Sequence, residues 1–232
     1  MKVYKALPSL ITSGNLVCGV IATYLAFSNN LNLAVYFILL ASVFDFLDGF
    51  IARQLNAISE FGKQLDSLSD LISFGFAPAA MIFSFIKTNE ILPEYLIYLP
   101  ILIVLFSAYR LAKFNIDDSQ TSEFKGLPTP ASALFISAIV FQQNFGFISS
   151  EIIFTNKYFI ILCLVLLPVF MVSNISLFSL KITKFKIKNI IWQLILFISG
   201  LILLIIFGIN GLAYLIILYI ALSFLRNLRI QK

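Results

Sequence analysis

Eight runs of apolar residues dominate the chain, at 8–28, 31–52, 66–86, 93–114, 128–146, 157–175, 190–208 and 211–226. Each approaches the ~20 residues that a helix needs to cross a hydrocarbon core. Inside lipid a helix satisfies its own backbone hydrogen bonds, so runs of this length predict spanning helices. With 60% hydrophobic residues, 12% charged and a mean hydropathy of +1.00, the sequence excludes a soluble globular domain with a polar shell. The breaks between runs carry turn chemistry: "SNN" at 28–30, "TNEILPE" at 88–94, "GLPTP" at 126–130, "FTNK" at 154–157, "KITKFKIKN" at 181–189 and "GING" at 208–211. None is long enough for a separate soluble domain. The expected architecture is therefore all-α, a polytopic transmembrane bundle of about eight helices forming one domain over 1–232.

Threading eight helices from a cytosolic start places fourteen basic residues on one side: Lys2, Lys5, Arg53, Lys63, Arg110, Lys113, Lys125, Lys181, Lys184, Lys186, Lys188, Arg226, Arg229 and Lys232. Only Lys87 and Lys157 fall on the other. That split predicts both termini in the cytosol of a cell-membrane protein. It assigns the net charge of +5 to topology and anionic headgroups, not to nucleic acid. The first run resembles a signal peptide in its basic start, but its length and lack of a small-residue cleavage site predict a retained helix.

Four aspartates interrupt this pattern. Asp45 and Asp48 lie near the end of the second run, and Asp66 and Asp70 open the third, all at the cytosolic face. Spacings of three and four put each pair on one side of its helix. Two such charges about 6 Å apart repel by roughly 3 kcal/mol at an effective dielectric near 20, so four together call for protonation or a cation. With no histidine in the chain and no cysteine nearby, an all-oxygen set favours a hard divalent ion, Mg²⁺ or Mn²⁺. The competing explanation pairs the aspartates with Arg53, Lys63 or Arg110, or sets Asp66 and Asp70 at the positive end of the third helix's dipole. It accounts for one aspartate more readily than for four. A cation transporter is a further alternative, although transporters hold their ions near the midplane of repeated halves, and no repeat is present. Gly49 and Gly62 suit either close approach of a ligand to the backbone or plain helix packing. Cys18 and Cys163 sit singly in apolar runs and read as packing residues.

Taken together the residues spell Asp45-x-x-Asp48-Gly49-x-x-Ala52-Arg53, then eight residues, then Gly62-x-x-x-Asp66-x-x-x-Asp70. This resembles the signature of the CDP-alcohol phosphatidyltransferase family at every fixed position. The stretches "LPSLITSGNLVCG" (7–19), "LDSLSDLISFGFAPA" (65–79), "AYRLAKFN" (108–115) and "FKGLPTPA" (124–131) are similar to the phosphatidylserine synthases within it. Departures are small: Ser9 replaces a usual Asn and Lys113 a common Arg. The resemblance implies displacement of CMP from CDP-diacylglycerol by the hydroxyl of L-serine, with divalent metal, in a homodimer. Other acceptors of the family, glycerol 3-phosphate or inositol phosphate, are the alternative. It further implies that Asp45, Asp48 and Asp66 ligate metal, and that Asp70 shares a second metal while accepting the hydroxyl proton. Arg53 either orients the nucleotide phosphate or anchors a helix end. Arg110, Lys113, Asn115 and Lys125 are candidates for serine's carboxylate or the lipid phosphate, Arg110 foremost. Asn15, polar within the first run, either lines the same cavity or bonds a neighbouring helix.

Overall fold

The structure, a computed structural model, describes residues 6–116, 124–142, 151–177 and 187–230. Helix α1 (Leu7–Phe27) and helix α2 (Leu31–Gln54) form a hairpin. Its turn places Asn29 in the left-handed region (φ 58°), which asparagine tolerates better than most residues. Helix α3 runs over Glu60–Thr88. It is α-helical over Glu60–Asp70 and Ala77–Thr88, with a π turn at Leu71–Phe76 between them. Helix α4 (Ile101–Ile116) follows a 3₁₀ turn at Glu94–Leu96. Then come α5 (Thr129–Val140), α6 (Lys157–Val172), α7 (Ile187–Phe207) and α8 (Gly211–Ile230), with a single helical turn at Glu151–Phe154 ahead of α6. The expected all-α bundle of eight helices is thus present.

Among the described residues, five helical stretches are long and apolar enough to cross a membrane: Leu7–Phe27, Leu31–Gln54, Glu60–Thr88, Glu94–Ile116 and Ile191–Asn227. The last comprises α7 and α8, which fold back on one another at Gly208 (φ 61°). Large apolar side chains such as Leu10, Tyr24, Phe46, Leu105 and Phe197 point outward. The interior is instead rich in alanine, with Ala22, Ala26, Ala34, Ala41, Ala77, Ala133 and Ala138 fully buried. Small residues inside and large ones outside are what helix packing in lipid favours, because close backbone approach replaces the hydrophobic driving force.

Three boundaries differ markedly from the sequence expectation. Helix α4 opens at Ile101, not at 93, because the stretch between Pro93 and Pro100 forms the 3₁₀ turn and further turns. Helix α3 opens at Glu60, not at 66, because Ser59 caps it by accepting the Gly62 N–H at 3.1 Å. The stretch "EFGKQL" is too polar to register as an apolar run. Helix α5 ends at Val140 instead of running to 146. Phe141 turns extended, the Asn210 side-chain amide donates to the carbonyls of Ala138 (2.6 Å) and Phe141 (3.1 Å), and Gln142 N–H donates to Asn32 Oδ1 (2.9 Å). Residues 143–146 lie outside the described residues, as do Lys2, Lys5, Lys181, Lys184, Lys186 and Lys232 of the charge argument. A two-residue antiparallel pairing of Phe124–Lys125 with Ser176–Leu177 ties the entry of α5 to the exit of α6. Gly126 beside it has φ 77°, and a Cβ there would collide with the Met171 carbonyl.

Candidate active site

The short connection from α2 to α3 sets the site. Leu55 closes α2, Asn56 takes the left-handed conformation (φ 48°), and Ser59 opens α3, so the end of α2 lies beside the start of α3. Asp45 and Asp48 on α2 thereby meet Asp66 on α3, and one carboxylate oxygen of each lies within 4.8 Å of the others. At that separation each pair of charges repels by roughly 3 kcal/mol at an effective dielectric near 20.

Helix α1 fixes these carboxylates from the other side. Thr12 Oγ1 donates to Asp48 Oδ2 at 2.6 Å, and Asn15 Nδ2 donates to Asp70 Oδ1 at 3.2 Å. Thr12 and Asn15 share a face of α1, three residues apart, and both are buried. Asp70, one turn beyond Asp66, is buried and is not one of the three carboxylates that lie within 4.8 Å of one another, yet it is within electrostatic reach of all three. Of the two roles expected for Asn15, an interhelical bond is the one formed, and it ends on an expected site residue.

Local pairing does not account for the whole cluster: Arg53 lies within electrostatic reach of Asp48 and Arg110 of Asp70, but Asp66 Oδ1 meets no cation. Lys63 Nζ donates to the backbone carbonyl of Asn115 at 2.9 Å, and Arg110 Nε has no hydrogen-bond partner. Asp66 Oδ1 is buried and equally without a partner. Because α3 starts at Glu60, Asp66 and Asp70 sit in its second and third turns, beyond the reach of the helix dipole. A buried carboxylate oxygen with no donor is costly unless a cation meets it. Three carboxylates offering only oxygen suit Mg²⁺ or Mn²⁺, so the residues present fit such an ion.

A cavity of about 370 Å³ opens beside the cluster between α1, α2 and α3. Thr12, Asp48 and Asp66 form its acidic side, and Arg53 and Lys63 are its cations. Gly49 and Gly62 also line it, and a Cβ on Gly49 would stand 3.4 Å from the Arg53 guanidinium. Arg110 is elsewhere, buried on α4 within electrostatic reach of Asp70 and of Tyr219 on α8. Lys113 is half-buried on α4 and does not line the cavity. Asn115 donates from Nδ2 to Ser67 Oγ at 2.9 Å. The Lys125 side chain lies outside the described residues. The expected residues therefore divide between an open cavity (Asp48, Gly49, Arg53, Gly62, Asp66) and a buried group behind it (Asn15, Asp70, Arg110), with Asp45 completing the carboxylate cluster.

Four site residues escape the sequence reading: Thr12, Lys63, Ser67 and Tyr219. Thr12 carried a signal, since a polar residue three before Asn15 shares its face. Tyr219, on an apolar helix far along the chain, carried none. Cys18 and Cys163 are free and take no part.

Similarity to known proteins agrees with this geometry. The chain is 36% identical over 138 residues to CDP-diacylglycerol–serine O-phosphatidyltransferase of Bacillus subtilis, covering 60% of this chain and 77% of that protein. It is 34% identical over 191 residues to the enzyme of the same name from Helicobacter pylori, covering 81% and 78%. It is 38% identical over 152 residues to archaetidylserine synthase of Methanothermobacter thermautotrophicus, covering 65% and 64%. Residues 5–169, with all four aspartates inside them, match the family model for CDP-alcohol phosphatidyltransferase, and the chain belongs to that family.

Proposed function

We propose that this protein transfers the phosphatidyl group of CDP-diacylglycerol to L-serine, giving phosphatidylserine and CMP. The observation that carries the reading is the Asp45–Asp48–Asp66 cluster, with its unpartnered Asp66 oxygen, at the wall of a cavity that also holds Arg53 and Lys63. Asp45, Asp48 and Asp66 would hold Mg²⁺ or Mn²⁺, which when bound supplies positive charge to the pyrophosphate oxygens and the departing CMP phosphate. Arg53 and Lys63 complement the remaining negative charge of the nucleotide. Gly49 and Gly62 leave the cavity wall free of side chains where it enters.

The serine hydroxyl attacks the phosphatidyl phosphorus, the bond from that phosphorus to the CMP oxygen breaks, and the hydroxyl proton passes to a base. Asp70 takes this role, since the chain has no histidine and Asp70 is the carboxylate held outside the cluster. Its bond from Asn15 occupies one oxygen and leaves the other for the proton. Arg110 holds the serine carboxylate. Among the described residues it is the only buried cation. One guanidinium matches one carboxylate better than the double charge of glycerol 3-phosphate or inositol phosphate. Lys113 and Lys125 are further contacts for carboxylate or lipid phosphate. The aspartate end faces the cytosol, where the nucleotide is, and the working unit is a homodimer in the cell membrane.

The test is CMP release by purified protein with CDP-diacylglycerol, Mg²⁺ or Mn²⁺, and a panel of labelled alcohols. Serine should be the acceptor used. Another alcohol exceeding it tenfold at matched concentration would refute the serine assignment.

A further inference from the structure

Helices α3 and α4 are joined at two points, and the reacting groups lie between them. At the first, Asn115 Nδ2 donates to Ser67 Oγ (2.9 Å), Lys63 Nζ donates to Asn115 O (2.9 Å), and Ser67 Oγ donates back to Lys63 O (3.2 Å). These bonds close a ring across the two helix ends. At the second, Gly75 in the π turn lies so near Ser107 that an added Cβ would stand 3.0 Å from the serine Cβ. The ties are eight residues apart on both helices, 67 to 75 on α3 and 107 to 115 on α4, which therefore run antiparallel. Asp70 and Arg110 fall inside this span, at nearly the same height.

Arg110 has no hydrogen bond at Nε to fix it there. Close packing at Gly75–Ser107 and the polar ring at Ser67–Asn115 together hold α4 in register on α3, and the ring is the directional tie of the two. We propose that Ser67 and Asn115 are positioning residues for the acceptor. Their bond sets the height of Arg110 against Asp70, and so the distance between the acceptor's carboxylate anchor and its base. Asn115 thus acts through α4, by its Nδ2 bond to Ser67, while its Oδ1 is buried without a partner. This rests on the acceptor reading of Arg110 and Asp70 above.

The experiment measures KM for each substrate in the full-length protein, reconstituted in lipid, for Ser67→Ala, Ser67→Thr, Asn115→Leu and the Ser67→Ala/Asn115→Leu double variant. One lost neutral hydrogen bond should raise the acceptor KM about five- to tenfold in Ser67→Ala. The KM for CDP-diacylglycerol should stay within twofold. Ser67→Thr, which keeps the hydroxyl, should restore the acceptor KM. Asn115→Leu and the double variant should match Ser67→Ala in acceptor KM, because all three break the Asn115–Ser67 bond that joins the two helices, and the second bond lost with Ser67, to Lys63 O, lies within α3. An unchanged acceptor KM in Ser67→Ala, a parallel rise in both KM values, failure of Ser67→Thr to rescue, or additive losses in the double variant would each overturn the proposal. Additive losses would instead mark Asn115 as a direct ligand. The wild-type acceptor panel tests the serine reading independently. If another alcohol is the true acceptor, the same variants are read with that alcohol.

Discussion

Gly19 lies outside the aspartate signature, yet the structure makes it a condition for the site. A Cβ at this position would stand 2.6 Å from the Ser73 Cα. Carbon atoms rest at about 3.5–4.0 Å, so Gly19→Ala forces α1 and the π turn apart by roughly 1 Å. The neighbour is backbone and has no rotamer through which to yield. The same two segments carry Ser73 Oγ→Asn15 O at 2.9 Å and Asn15 Nδ2→Asp70 Oδ1 at 3.2 Å. The second bond is already long, and opening by ~1 Å takes it beyond hydrogen-bond range. Losing a bond to a charged group costs about 1.5–3 kcal/mol. If that energy holds Asp70 in its working position, turnover should fall by roughly 10- to 100-fold, and overpacking should cost a further 1–3 kcal/mol of stability. Gly14→Ala is the matched control on the same helix, since its Cβ would meet only the Phe44 ring at an ordinary 3.4 Å. CMP release and thermal unfolding of both variants in one lipid mixture test the argument. Turnover within twofold of wild type in Gly19→Ala, with unchanged unfolding temperature, would show that α1 does not hold Asp70 in place.

The two aspartates of α3 should separate by phenotype. Asp66→Asn should shift the metal titration to higher concentration and recover in part at high Mn²⁺, whereas Asp70→Asn should lose about 10²–10⁴-fold in turnover with CDP-diacylglycerol binding kept. Near-normal turnover in Asp70→Asn would remove it as the base. A reporter fused within 181–189 should read cytosolic and one within 88–94 exterior, and the reverse pattern would contradict the basic-residue split.

How much of this was legible in the sequence depends on how locally each feature is encoded. Helices α1 and α2 were visible within a residue or two, because an apolar run and its "SNN" break are local signals. The start of α3 was not, since its first turn is polar and only Ser59 with its bond to Gly62 marks it. The end of α5 was hidden for a different reason. Its last carbonyls are capped by Asn210, some seventy residues away in sequence. In the site, the spacing of Asp45, Asp48 and Asp66 foretold their convergence, but nothing in the spacing separates Asp70 from them. What distinguishes Asp70 is its bond from Asn15, whose partner the sequence left open. Asn115 was expected as a contact for carboxylate or lipid phosphate, and its bond to Ser67 was not legible, because cross-helix register is not written in either helix alone.

The arrangement also answers how a lipid-dissolved chain holds four carboxylates. Along α3, 78% of the spanning window is buried, against 17–33% for the other spanning stretches, so α3 is the helix the others enclose. Polar groups in its buried part, Asp70 among them, meet protein and not hydrocarbon, which lowers the cost of keeping them there, while Asp66 lies in the less buried first turns at the open cavity. Enclosure on all sides demands close contact on more than one face of the same short segment. The π turn directly after Asp70 meets that demand. One inserted residue rotates the following face by about 100° relative to a continuous α-helix. Within three residues the turn then offers Ser73 to Gly19 of α1 and Gly75 to Ser107 of α4. Residues two apart already lie about 200° apart on an α-helix, so Ser73 and Gly75 face opposite neighbours, while the inserted residue resets the heading of Ala77–Thr88 beyond them. Opposite faces of this one short segment thus receive α1 and α4 at once, directly after Asp70.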